Sequence, residues 1–130
     1  MLRQYVYVST ANGHGPDVIK SILESCLRNN AARGITGLLL YNGRNFLQVL
    51  EGDVEDLSWL MRRIDSDPRH AGISIIEDVA AKSRAFPDWE MRHIKLVENI
   101  DERRASLEQV LPLDLEPHVR RVILNFTVLN

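Results

Sequence analysis

Two apolar runs joined by a short turn constrain this chain more than any other feature. Residues 35–41 read as a buried strand, Asn42-Gly43 as a hairpin turn, and residues 45–51 as its partner strand. What flanks the hairpin fixes the class. Ahead of it, residues 3–9 alternate as a strand, with Tyr5, Tyr7 and Ser9 on one face and Val6 and Val8 on the other. The loop Asn12-Gly13-His14-Gly15 ends at Pro16, a favourable first helical residue. A helix from 16 to about 31 then carries Val18, Ile19, Ile22, Leu23, Cys26 and Leu27 on one stripe, extended by Asn30, and Gly34 ends it.

After the hairpin, Asp53 is placed to cap a second helix, with Val54, Leu57, Leu60, Met61 and Ile64 inward and a stop near Pro68. Residues 73–80 read as a strand, and residues 86–94 as another, around Pro87. The order strand, helix, strand, strand, helix, strand, strand is that of an α+β, ferredoxin-like βαββαββ fold. It predicts a five-stranded mixed sheet with two helices on one face.

Residues 98–130 differ in kind and are expected to form a C-terminal helical extension beside a domain of residues 1–97. Asp101 is expected to cap a helix reaching about Leu111, Pro112 breaks it, and Pro117 opens another with Val119, Val122, Ile123 and Phe126 on one side. That apolar side would pack on the open sheet face or on a partner. Trp59, pointing away from the inner stripe of the second helix, is expected to join that interface.

At 130 residues and 45% hydrophobic, the chain suits one compact core. No apolar run reaches the roughly 20 residues a bilayer span takes, and the N-terminus is too short and polar for a secretory signal. Cys26 is the single cysteine, so no disulfide framework or thiolate metal cluster arises, and a reducing cytoplasm is the expected home. A net charge of −2 with interspersed signs points to neither nucleic acid nor an anionic membrane.

Gln48 is then the residue to explain. On an alternating strand it shares a face with Phe46 and Leu50. Burying its amide unpaired would cost about 1–3 kcal/mol. Tyr7 on the first strand and Asn30 at the end of the first helix converge on the same crevice, and Trp89 and Met91, two apart on the last strand, would close it. Each has an ordinary structural reading: a buried tyrosine bonds to backbone, an asparagine caps a helix, an inward glutamine joins a polar network, and Trp and Met fill a core. These residues alone define a small α+β domain with a polar-lined crevice.

Their order, however, resembles the BLUF family of blue-light sensors using FAD. The resemblance rests on Tyr5-Val6-Tyr7-Val8-Ser9, on Asn29-Asn30 followed by Gly34-Ile35-Thr36-Gly37, on Phe46-Leu47-Gln48-Val49-Leu50-Glu51-Gly52, on Asp67-Pro68-Arg69-His70 and on Phe86-Pro87-Asp88-Trp89-Glu90-Met91. It implies an isoalloxazine ring between the two helices, over the sheet. Asn30 would hold its polar edge, Gln48 would sit between the ring and the Tyr7 hydroxyl, and Ile22, Phe46 and Ile64 would pack on it. Cys26, at a position that is often Ser in relatives, and Asn29, at one sometimes His, would touch its edge. Arg63 and Asp67, spaced to pair, would lie near the ribityl and phosphate chain. The resemblance further implies photochemistry at Tyr7 and Gln48 without substrate turnover, and relay through Trp89 and Met91 to a separate effector protein. FAD is the expected load, with FMN or riboflavin as alternatives, in a homodimer or higher homo-oligomer and with no metal.

Three other readings fit the same fold. An acylphosphatase-like enzyme needs an anion-cradling loop with an arginine after the first strand, which Asn12-Gly13-His14-Gly15 does not supply. A ligand-free interaction module would fill its crevice with side chains. A flavin oxidoreductase would need an acid or base poised for a substrate.

Overall fold

The computed structural model describes residues 1–11, 16–87, 92–95, 100–113 and 115–127, with side chains described except at 11, 16–19, 27, 70, 92–95, 100 and 101. In chain order the elements are β1 (Leu2–Ala11), α1 (Pro16–Arg33), β2 (Thr36–Tyr41), β3 (Asn45–Asp53), α2 (Val54–Asp65), β4 (His70–Ala80), β5 (Arg92–Lys95), α3 (Ile100–Val110) and α4 (Pro117–Phe126). The five strands form one sheet in the order β4-β1-β3-β2-β5. All neighbours are antiparallel except β2 and β5, which run parallel. The α+β, ferredoxin-like architecture predicted from the order of elements is therefore present.

Local chemistry explains how the hairpin and helices are delimited. Asn42 accepts from the backbone N–H groups of Arg44 and Asn45 through Oδ1, and Gly43 turns with φ +97°. Gly34 takes φ +64°, and the Ile35 N–H donates to the Asn30 carbonyl at 3.0 Å. That bond is the signature of a Schellman end, and it fixes Asn30 in the last turn of α1. Gly37 answers a different need: a Cβ there would collide with the Val49 carbonyl oxygen on β3. Asp53 caps α2 as predicted, accepting from the Glu55 N–H at 3.2 Å.

Both faces of the sheet are covered, which is why β3 is buried from Phe46 through Gly52. On one face Tyr5, Tyr7, Leu39, Phe46 and Leu50 meet Ile22 of α1 and Leu57, Leu60 and Ile64 of α2. On the other, Val6, Leu38, Leu40, Leu47 and Val49 meet Leu107 of α3 and Val119, Ile123, Leu124 and Phe126 of α4. The apolar side of α4 thus packs on the sheet. Glu116 caps α4 through the His118 and Val119 N–H groups.

Several expectations need correction. Phe86, expected to open the last strand, lies outside it, and the strand is described over Arg92–Lys95. The Ala85 and Phe86 N–H groups donate to the Glu51 carboxylate, and Pro87 has no N–H to offer a ladder. Asp101 lies inside α3, which starts at Ile100, so it is not the residue before the helix. α2 ends at Asp65, ahead of Pro68. Trp59 sits on the α1/α2 side of the sheet, away from α3 and α4, with the guanidinium groups of Arg33 and Arg63 over its ring at 3.9 and 4.9 Å from the centroid. The expected loop 12–15, the side chains of Val18, Ile19 and Leu27, and Trp89 and Met91 lie outside the described residues. No helix among the described residues is long and apolar enough to cross a membrane.

Candidate functional site

Antiparallel register creates the site. Tyr7 on β1 and Gln48 on β3 are direct cross-strand partners, so their side chains leave the same face of the sheet side by side. Both are buried, and the Tyr7 hydroxyl donates to Gln48 Oε1. The other end of the same amide, Nε2, donates to Cys26 Sγ of α1 at 3.6 Å. Asn30, one helical turn beyond Cys26, is fully buried, with its side-chain carbonyl oxygen sealed from water. Tyr7 and Gln48 thus meet as expected, with Cys26 joining them from α1, while Asn30, expected to converge with them, is buried a turn further along and is not among the residues lining the cavity between α1 and α2.

Above the Gln48–Cys26 contact, a cavity of about 350 Å³ opens between α1 and α2. That volume falls within the range of small-molecule pockets. Its lining brings together Ile22, Cys26, Asn29, Gln48, Arg63, Ile64 and Asp67 from the residues expected to touch a cofactor. Tyr7 and Phe46 lie in the buried layer beneath, alongside Leu39 and Leu50. Leu60 is a further apolar wall, and Ser25, Arg28 and Arg69 add polar groups at the mouth.

The mouth differs from expectation in its ion pairing. Asp67 pairs with Arg69 at 2.5 Å, while Arg63 lies over Trp59. The helical spacing that would join Arg63 to Asp67 does not apply, because α2 has ended two residues before Asp67. Arg69 also donates to Ser21 Oγ at 2.7 Å and Ser25 Oγ at 3.1 Å, tying the turn after α2 to α1. Sequence reasoning gave Arg69 no role; its place in Asp67-Pro68-Arg69-His70, directly after a helix end, was the available signal.

Electrostatics keep the inner groups neutral. Burial pushes the Tyr7 phenol well above its ordinary 10.0, and proximity to Cys26 and Asp67 adds to this. Burial likewise raises the Cys26 thiol, opposed by its hydrogen bond from Gln48 and by Arg69. The hydrogen bond to Asp67 holds Arg69 more firmly protonated than usual. The floor is therefore a protonated phenol, an amide and a thiol in series, with charge confined to the rim. An uncharged planar ring with polar edges fits this arrangement: apolar walls from Ile22, Leu60 and Ile64 flank it, and a carbonyl–amide edge lies at its base. Among the described residues no cluster of three metal-ligating side chains occurs.

Comparison with known proteins agrees with this geometry. The sequence model of the family described as "BLUF: Sensors of blue-light using FAD" matches residues 2–92. The dark-state structure of BlrB, a BLUF protein, superposes with a TM-score of 0.75 at 34% identity, covering 98% of this chain and 94% of that one. BlrP1 of Klebsiella pneumoniae, solved with FMN and cyclic diGMP, superposes with a TM-score of 0.84 at 29% identity, covering 98% of this chain and 34% of that one. The photoactivated adenylate cyclase subunit beta of Euglena longa is 28% identical over 114 residues, which is 84% of this chain and 13% of that protein. The chain thus spans a small part of this curated relative.

Proposed function

The chain belongs to the BLUF family, sensors of blue light using FAD, and on that premise we propose that light is registered by a change of bonding at the Tyr7–Gln48 pair. The observation that carries this reading is the hydroxyl-to-amide hydrogen bond formed by cross-strand register directly beneath a cavity of about 350 Å³. The domain senses; it turns over no substrate.

FAD is the proposed load, with FMN or riboflavin as the alternatives to be told apart by extraction. Ile22, Phe46 and Ile64 would pack on its ring, Cys26 and Asn29 would meet its edge, and Asn30 and Gln48 would bond its polar atoms. Arg63 and Asp67 at the cavity mouth would meet the ribityl and phosphate chain, and Arg69 joins them there. Bound and excited by blue light, the flavin supplies an electron-accepting ring.

The chain's own residues supply the rest. Tyr7 would be the electron donor to that ring, and its phenol proton has a direct path along the hydrogen bond to Gln48 Oε1. Burial keeps the phenol protonated in the resting state, so the proton is in place on Tyr7 to follow the electron. With the electron and proton returned to Tyr7, Gln48 would be left rotated, tautomerised, or both, presenting a donor where it had presented an acceptor. Water is kept from this exchange by the burial of both side chains.

Output follows from where the strands lead. We assign Trp89 and Met91 to the relay, residues 1–97 to the flavin-binding unit and residues 98–130 to a helical extension. The packing of α3 and α4 on the sheet face opposite the cavity supports the separate assignment of the helical extension. A separate effector protein in the cytoplasm is the proposed recipient, and the sensor is proposed to act as a homodimer or higher homo-oligomer. Purification provides the test. The protein is expected to be yellow and to release FAD on denaturation, with Tyr7→Phe and Gln48→Ala retaining the colour. A colourless protein that takes up no added flavin would refute the reading.

A further inference from the structure

We propose that Glu51 is a positioning residue that couples the strand bearing Gln48 to the core beneath the C-terminal helices, by gripping the backbone of Ala85 and Phe86. The proposal rests on the photoreceptor reading above and adds a route out of the site.

Glu51 follows Gln48 by three residues on β3 and therefore faces the opposite side of the sheet. It is fully buried, a rare setting for a carboxylate, whose desolvation costs several kcal/mol unless its lone pairs are filled. Here four donors fill them. Gln4 Nε2 at 3.0 Å and Thr36 Oγ1 at 3.1 Å come from its two cross-strand neighbours. The N–H groups of Ala85 and Phe86, at 2.6 and 2.8 Å, come from the segment after β4. Arg84 closes the knot, donating to Thr36 Oγ1 at 2.9 Å and to the Glu51 carbonyl oxygen at 3.0 Å.

Two of those four contacts hold successive amides of a chain segment that belongs to no strand. The next side chain, Phe86, is buried in the cluster that contains Leu107, Val119 and Ile123. One carboxylate thus joins β1, β2 and β3 to the layer under α3 and α4. Charge-assisted bonds of this length respond steeply to displacement. When Gln48 changes partners, β3 adjusts, and Glu51 delivers that adjustment to the 84–86 segment. A purely structural staple would hold this segment equally in dark and light.

The experiment is amide NMR and hydrogen exchange on the flavin-loaded full chain, in the dark and under blue light, with absorption read on the same samples. In the unmodified protein the Ala85 and Phe86 amide signals are expected to shift under light. Unmoved signals despite a normal red shift would overturn the proposal alone. Glu51→Gln, which sets an amide donor against two N–H donors, is expected to keep the red shift yet lose most of the light–dark exchange difference in α3 and α4. Retention of the full difference would overturn the proposal, and the unmodified-protein measurement decides it if the variant does not fold. Absence of any red shift in the unmodified protein would overturn the photoreceptor reading and this inference with it.

Discussion

Tyr7 and Gln48 owe their contact to strand register rather than to nearness in the chain, since each is the Cα partner of the other across β1 and β3. Removing the hydroxyl leaves the ring to fill its space, so Tyr7→Phe is expected to retain flavin and to abolish the light-induced red shift entirely, as read by visible absorption. The buried phenol also ties stability to pH. An unfolded tyrosine ionises near about pH 10 and the folded Tyr7 well above it, so its contribution is complete below that pH and is lost as pH rises through the folded value. Melting temperatures of the flavin-free protein are therefore expected to fall more steeply above about pH 10 in the unmodified chain than in Tyr7→Phe. The period-two pattern made the shared face of Phe46, Gln48 and Leu50 legible from sequence. Glu51 was not, because its burial depends on donors from residues 4, 36, 85 and 86, which meet only in three dimensions. The pairing of Arg63 with Asp67 was misread for a similar reason: their spacing matters only on a continuous helix, and α2 stops first.

The elements were easier to read than their ends. Amphipathic spacing located α1, α2 and α4, and Asn42-Gly43 located the hairpin, because each signal is local. Phe86 does not open the final strand as expected, since Ala85 and Phe86 give their N–H groups to a side chain instead of a neighbouring strand. The sequence also left open what α4 would cover. Ile123 is fully buried against the sheet side lined by Leu38, Leu40, Leu47 and Val49. Ile123→Ala is accordingly expected to cost about 2–5 kcal/mol of stability, measured by urea unfolding. It should leave the red shift in place, because the cavity proposed to hold flavin lies on the far face. Loss of flavin on that substitution would show the two faces to be more tightly coupled than this packing implies.

As a whole, the molecule is a sheet between two unlike layers, with α1 and α2 enclosing a polar-floored cavity and α3 and α4 sealing an apolar face. Because β3 contributes to both layers, unfolding is expected to be one cooperative transition, with flavin release and loss of helical circular dichroism at the same denaturant concentration. Separate transitions would mean that residues 98–130 fold as an independent unit. Nothing in composition distinguishes this architecture from an acylphosphatase-like or ligand-free relative; the distinction lies in one amide set between a phenol and a cavity. The light-minus-dark absorption spectrum tests that claim most directly. The unmodified protein is expected to show a small, dark-reversible red shift of its flavin bands, and flavin-loaded Gln48→Ala none. An unchanged photocycle in Gln48→Ala would contradict the account.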